Sequence, residues 1–424
     1  MESEVKEYPK FTASMRKTHT ILIPSMLPFH MALFEKALTL SGYKVEIMKN
    51  EGPNVIQEGL KYVHNDTCYP ALLVIGQFID NLNNRTDLDK VVLLITQTGG
   101  GCRASNYIHL LRKALVKAGY DYIPVVSLNA SNLEKDSGLA LTFPLIKKIA
   151  AAITYGDELM YLYNKTRTYE IQKNSALSLA LSWVEKIGTQ FLNKKGVSYK
   201  DIKKNINNIA KDFDKIELDL SKKLPKVGVV GEIYIKYAAL GNNHLEDFLV
   251  EQKAEVMVPG LYGFILYCLY NNIYDHKLYG HSFKMNIACK FLVWYIRRRE
   301  KIMINSIKKT KFTPMQYFSH TKDLSDGVLS RGTKMGEGWL LTAEMMELIE
   351  IGYDNIICAQ PFGCLPNHIC GKGVMKKIKS IHPDANIVAI DYDPSATKVN
   401  QENRIKLMLA IAKEKIEENE DAKL

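Results

Sequence analysis

Long hydrophobic runs are missing from this chain of 424 residues. The longest nearly apolar stretch, Val258 to Tyr270, has 13 residues, short of the roughly 20 that a membrane-crossing helix needs. A membrane is therefore not an expected partner. The first sixteen residues, MESEVKEYPKFTASMR, hold no apolar core of a secretory leader. Cysteine is sparse and odd in number, with seven residues, which argues against a disulfide framework. A reducing, cytoplasmic setting is expected, where thiols serve as buried apolar groups, metal ligands or catalysts. No cysteine pair has the tight spacing of a structural zinc knuckle: five residues separate Cys358 from Cys364. The glycine run Gly99-Gly100-Gly101 lacks the Lys-Ser/Thr ending of a phosphate-binding loop.

What is present is the composition of a globular protein. Hydrophobic residues make up 46% and charged residues 24%, which excludes a disordered or collagen-like chain. Lys and Arg exceed Asp and Glu by 56 to 46, a net charge of +10. Lysine gathers at 193–224 and basic residues at 297–311. Such a surface can attract anions, but solubility explains it equally well, and nucleic acid is not an expected partner.

Strand and helix patterns alternate along the chain. His19–Ser25, Lys44–Met48, Val91–Thr96 and Ile123–Leu128 read as strands, with helical spacing between them. Val91–Thr96 (VVLLIT) is apolar on both faces, as in a parallel sheet covered on both sides. Lys226–Ile233, Glu255–Pro259, Asn355–Ala359 and Ala385–Ile390 repeat the plan. The expected fold is α/β: two similar lobes with parallel sheets flanked by helices, plus a helical linker region. The expected divisions are a polar tail at 1–16, a first lobe at 17–136, a helical region at 137–222, a second lobe at 223–397, and a terminal helix with charged tail at 398–424.

Three loops place cysteine at sheet edges. Asn65–Pro70 puts Cys68 at a helix start, with Asp66 or Thr67 as the expected cap and Pro70 in the first turn. Thr96–Arg103 puts Cys102 after a buried strand, and Cys358–His368 puts Cys364 after another. Ligands of open α/β sheets bind outside the carboxyl ends of strands. Helix starts favour thiolate, and backbone N–H groups at Gly100, Gly101 and Gly363 can donate to a large anionic group. Thiolates gathered across a cleft between lobes would suit an iron-sulfur cluster; zinc and a phosphate cradle are the alternatives.

Longer strings carry a resemblance. They are Tyr62–Pro70 (YVHNDTCYP), Thr96–Tyr107 (TQTGGGCRASNY), Val230–Tyr237 (VGEIYIKY), Asn242–His244 (NNH), Gly336–Met345 (GEGWLLTAEM), Ala359–Gly373 (AQPFGCLPNHICGKG) and Ile387–Leu409. With these the chain resembles the 2-hydroxyacyl-CoA dehydratase component family. It looks most like the C-terminal part of the large acyl-CoA dehydratase activase-related proteins, with double-cubane-type reductases as relatives. The resemblance implies an iron-sulfur cluster, either four-iron, four-sulfur or double-cubane, held between two lobes. Cys68, Cys102 and Cys364 match the motif cysteines, and Cys358 is the fourth candidate ligand. It also implies a low-potential electron from a separate ATP-hydrolysing iron-sulfur activator, with no ATP bound to this chain. An acyl-CoA or other small molecule would be the substrate, and a homodimer or heterodimer the assembly. A non-catalytic electron-relay or interaction subunit is the alternative.

The remaining candidates are polar residues near those loops. His368 is a candidate proton donor or helix cap, and Glu337, with Glu232, a candidate acid–base group. Asp391 and Asp393 could bind ribose or a cation, or form a turn. Arg103, Lys372 or Arg297–Arg299 could meet a phosphate. Cys370 is close enough to Cys364 to join a cluster. Cys268 and Cys289 read as core thiols.

Overall fold

The computed structural model describes residues 8–64, 66–97, 101–128 and 138–421. All eight expected strands form. In the first lobe they are β1 (Thr20–Ile23), β2 (Lys44–Ile47), β3 (Val91–Thr96) and β4 (Val125–Leu128). In the second they are β5 (Lys226–Gly231), β6 (Glu255–Met257), β7 (Asn355–Pro361) and β8 (Asn386–Tyr392). Each lobe has one four-stranded sheet, in the orders β2-β1-β3-β4 and β6-β5-β7-β8, and every pairing is parallel. The fold is α/β with two lobes of the same strand order.

That order fixes where a ligand can sit. In each sheet the chain steps outward from the first strand to the second, then crosses back to the third. The crossing reverses between β1 and β3, and again between β5 and β7. Loops leaving such neighbours diverge and open a crevice at the carboxyl edge.

In the first lobe the sheet is accompanied by α1 (Pro28–Thr39), α2 (Pro53–Tyr62), α3 (Tyr69–Asn83) and α4 (Tyr107–Ala118). Helix α3 is buried almost all round, which matches its apolar sequence. Helix α2 was not legible as a helix: it follows Gly52-Pro53, and it buries only Val55 and Gly59.

Helices α5 (Phe143–Thr166), α6 (Ser175–Leu192) and α7 (Tyr199–Asp214) form the helical region. The Thr142 hydroxyl caps α5 and the Ser198 hydroxyl caps α7. Helix α5 packs on α1 in the first lobe and on β6 in the second, so this region is wedged between the lobes rather than strung between them.

The second lobe adds three short helices after β5: α8 (Ile233–Tyr237), α9 (Ala239–Asn242) and α10 (Leu245–Glu251). A long hairpin follows β6, made of α11 (Leu261–Tyr279) and α12 (Phe283–Ile307). The apolar run from Val258 thus divides between the exit of β6 and the start of α11. Then come α13 (Phe318–Leu324) and α14 (Trp339–Glu350) before β7, and α15 (Leu365–Cys370) and α16 (Met375–Ile381) before β8. The last helix, α17 (Lys398–Asp421), buries Ile405, Met408, Leu409 and Ala412 and packs on β8. It belongs to the second lobe. One continuous cluster of buried apolar residues runs through both lobes. A smaller cluster gathers around Tyr267, Phe318 and Trp339. Among the described residues no helix is long and apolar enough to cross a membrane.

Candidate functional site

Cys68, Cys102 and Cys364 come from loops of the two lobes that touch one another. Each is itself the residue that starts a helical turn, with extended backbone angles: Cys68 before α3, Cys102 before a 3-10 turn at Arg103–Asn106, and Cys364 before α15. Cys68, rather than Asp66 or Thr67, therefore occupies the cap position. Pro70 and Pro366 sit in the first turns that follow, where a missing N–H costs nothing.

Backbone contacts bring the two lobes together here. The Tyr69 amide donates to the Phe362 carbonyl at 3.0 Å. Gly363 lies against Cys68: a Cβ on it would stand 3.1 Å from the Cys68 Cα, and its φ of +70° suits glycine. Gly336 lies against Cys102: a Cβ there would stand 3.8 Å from the Cys102 Sγ and 3.0 Å from Pro366 Cγ. Any larger residue at either position would press the loops apart. Gly101 touches Met335, while Gly100 lies outside the described residues.

The electrostatics of the site are set by burial and by two carboxyls. Burial pushes the Cys102 thiol up to about 11, helped by Glu337, Cys68 and Glu232. Burial raises Cys68 and Cys364 as well. First-turn amides of Ala71, Ala104 and Asn367 pull the other way but close no cap hydrogen bond to the sulfur. Burial, then repulsion from Glu337, pushes Glu232 up to about 8. Glu337, 4% exposed, is raised by burial too. Each carboxyl is fixed through one oxygen: Glu337 Oε1 accepts from the Ile233 amide and Glu232 Oε2 from the Ile235 amide, both at 2.9 Å. The site thus gathers thiols and two carboxyls whose charged forms burial disfavours, and added cations would convert the thiols to thiolates.

Tyr107 completes the group. Its hydroxyl lies 3.3 Å from the Cys68 Sγ, and burial raises its ionisation far out of reach. It lies within one of the matched strings, but nothing in its spacing linked it to Cys68.

The other expected site residues are placed elsewhere. Cys358 lies on β7, fully buried, with its Sγ 3.2 Å from the Asn367 Oδ1. A Cβ on Gly371 would come 2.8 Å from that sulfur. Its charged neighbours are Asp391 and Lys372, and among the described residues no hydrogen bond ties its sulfur to Cys68, Cys102 or Cys364. Cys370 is 1% exposed, and Glu337 acts on it, which places it nearer the group. His368 is exposed, in the last turn of α15 rather than at a cap. Its Nδ1 lies 3.1 Å from Gln360 Nε2, which donates to Asp391 Oδ1 at 2.6 Å. His368 therefore faces Gln360 and Asp391, with Lys372 and Arg404 at 3.9 and 3.5 Å from the Asp391 Oδ2. Asp393 accepts from the Ser395 and Ala396 amides, a turn role. Cys289 is buried and Cys268 exposed.

The donor set fits an iron-sulfur group. Thiolates are soft ligands suited to such clusters, and three of them come from separate loops around glycine. Among the described residues no three His, Cys, Asp or Glu side chains converge on a single-ion site. A cube spreads its ligands over different irons, so its thiolates stand further apart than those on one ion.

A separate cavity of about 90 Å³ opens at the carboxyl end of β6, lined by Asp157, Met257, Glu300, Met303 and Glu347 among others. Burial pushes Glu347 up to about 8, with Glu344 and Glu300 adding to the shift and the Thr321 hydroxyl opposing it. Between its ordinary value of 4.5 and about 8, the folded protein holds a proton that the unfolded chain has lost. Stability therefore falls as pH rises through that window. Urea midpoints of wild type and Glu347→Gln at both ends of the window check this. Wild type is expected to lose more stability than the variant on going to the alkaline end, and equal losses would refute it.

No family model matches this chain, and no curated protein is similar to it.

Proposed function

We propose that this protein is an iron-sulfur protein of the 2-hydroxyacyl-CoA dehydratase and double-cubane reductase kind. The observation that carries the reading is the meeting of Cys68, Cys102 and Cys364 from both lobes beside two protonatable carboxyls. Cys68, Cys102 and Cys364 would hold the cluster, with Tyr107 against the Cys68 sulfur. When bound, the cluster supplies one-electron chemistry at low potential, the electron coming from an ATP-hydrolysing activator protein.

The chain's own residues do the rest. The first-turn amides of Ala71, Ala104 and Asn367 favour the thiolate form of each ligand. Gly336 and Gly363 allow the loops to close without side-chain bulk. The Glu232 oxygen not tied to a backbone amide can hold a proton near neutral pH and deliver it to a bound substrate, with Glu337, also raised by burial, beside it. Dehydration and reduction both need such a donor. A relay subunit would need a further thiolate in place of an open iron, and Cys370, on which Glu337 acts, is our candidate for it.

The test is anaerobic. Protein reconstituted with iron and sulfide is reduced stepwise with a low-potential one-electron donor and followed by visible absorption and electron paramagnetic resonance. The reading predicts a bleached visible band and a new paramagnetic signal. A 2-hydroxyacyl-CoA that alters the signal indicates an open iron, whereas an unaltered signal that changes in Cys370→Ser indicates a relay. A protein with no reducible centre after reconstitution contradicts both.

A further inference from the structure

The α11–α12 hairpin carries an exposed apolar surface that the cysteine site does not use. On α12, Phe283, Met285, Ile287, Phe291, Leu292, Trp294 and Tyr295 are all exposed, from 41% to 63%. At 3.6 residues per turn these seven positions spread over about 200° of the helix circumference. A helix that packs on its own core shows one narrower apolar stripe. Leu278 and Tyr279 extend the exposed surface onto the end of α11, next to the Gly280 turn.

The same hairpin is basic. From His276 to Arg299 there is no Asp or Glu, while Lys277, Lys284, Lys290 and three arginines are present. Behind the apolar tip, a concavity of about 560 Å³ is lined by Lys203 of α7 and by Arg298, Lys301, Lys308 and Lys309. It adjoins another of about 480 Å³ lined by Lys290, Arg297, Arg298 and Lys301. Among the described residues no acidic side chain forms an ion pair with Lys203, Lys290, Lys301, Lys308 or Lys309. Arg298 stacks on Tyr199 and Trp294, and Arg297 has Glu300 only at 3.9 Å.

We infer that this hairpin docks the protein on an anionic lipid surface, its apolar tip entering the boundary between headgroups and acyl chains. The basic collar behind the tip then meets lipid phosphates and carboxylates. Aromatic and aliphatic residues beside cations are the composition of interfacial helices, and clustered lysine and arginine next to them select acidic lipid. A second copy of the chain is a poorer occupant. Pairing α12 with itself would set Lys284, Lys290, Arg297 and Arg298 against their own kind, with only the buried Glu300 as an acid on that helix. Apolar residues spread over half the circumference also suit fluid hydrocarbon better than a single groove. Insertion of this kind needs no spanning helix.

Tryptophan fluorescence reads this directly. Trp183 and Trp339 are buried, at 2% and 0% exposure, and Trp294 is 53% exposed. A blue shift on vesicles therefore reports Trp294. The full chain is mixed with vesicles of phosphatidylcholine, alone or with roughly one-third phosphatidylserine. Binding is expected to be at least about tenfold stronger on the anionic vesicles, to weaken with salt, and to shift the emission to the blue. Trp294→Phe should bind but lose the shift. Arg298→Glu/Lys301→Glu and Phe291→Ser/Leu292→Ser, both at exposed positions, should bind about tenfold more weakly with unchanged circular dichroism. Absence of binding, or equal binding to both vesicles, overturns the inference. So does a blue shift that follows protein concentration without vesicles, which assigns the face to a second copy. Salt-sensitive binding of a single-stranded oligonucleotide with none of vesicles overturns it in favour of nucleic acid.

Discussion

Serine in place of Cys68, Cys102 or Cys364 is expected to cost the protein its iron, each substitution alone lowering cluster content more than about tenfold, since even outer-sphere partners of bound metals reach that loss. The physical reason is the donor set. Each of the three residues supplies a soft sulfur from a different loop, and Cys370, on α15, is not on the loops that carry Cys68 and Cys102. Serine offers a harder oxygen that stays protonated at neutral pH. Cys358→Ser is expected to behave differently. The Cys358 sulfur faces the Asn367 Oδ1 at 3.2 Å inside the second lobe, and a hydroxyl can make the same contact. That variant should keep its iron. Iron and sulfide assays on anaerobically reconstituted variants, with circular dichroism to verify folding, decide the matter. Full clusters in all three loop variants would remove the assigned ligands, and loss in Cys358→Ser alone would exchange one assignment for another.

The second large effect concerns stability. Asp157 on α5 is 3% exposed and accepts three hydrogen bonds, from His30 Nε2 and from the Leu261 and Tyr262 amides, each at 2.8 Å. It caps α11 from another helix, because the residue at the start of α11 is Gly260, which has no side chain to do so. It also ties α1 to α5 in the same contact. Asp157→Ala would leave two buried amides and an imidazole without an acceptor, a loss of about 3–5 kcal/mol. Asp157→Asn keeps one acceptor oxygen and should cost less, about 1–3 kcal/mol. Urea unfolding followed by circular dichroism measures both. An alanine variant within about 0.5 kcal/mol of wild type, the range of ordinary surface changes, would show that these bonds are replaced by water.

Much of this architecture was legible in the sequence, for a specific reason. Parallel strands covered on both faces need unbroken apolar runs such as Val91–Thr96, and such runs stand out between polar turns. Strands such as β3 were found in this way, while Lys44–Ile47 carries Lys and Glu and was placed by its position between turns. The three loop cysteines were legible for a related reason: each follows a strand or starts a helix at the edge where ligands bind. Side-chain direction was not legible. Cys358 is on a strand, where pleating decides which way a residue points, and it points toward Asn367. His368 sits four residues beyond Cys364, but the short helix α15 turns it outward to Gln360. Tyr107 is 39 residues from Cys68, and only the meeting of α3 and α4 joins them. The basic runs could not be assigned between anion binding and solubility because the sequence does not reveal that α7 and α12 lie side by side.

The central claim is that the three loop cysteines hold an iron-sulfur cluster. The measurement that tests it most directly is the iron and acid-labile sulfide content of wild-type protein after anaerobic reconstitution and removal of loosely bound metal. The account predicts iron and sulfide in equal amounts, at least about four of each per chain. A protein that retains neither, while remaining folded, would contradict it.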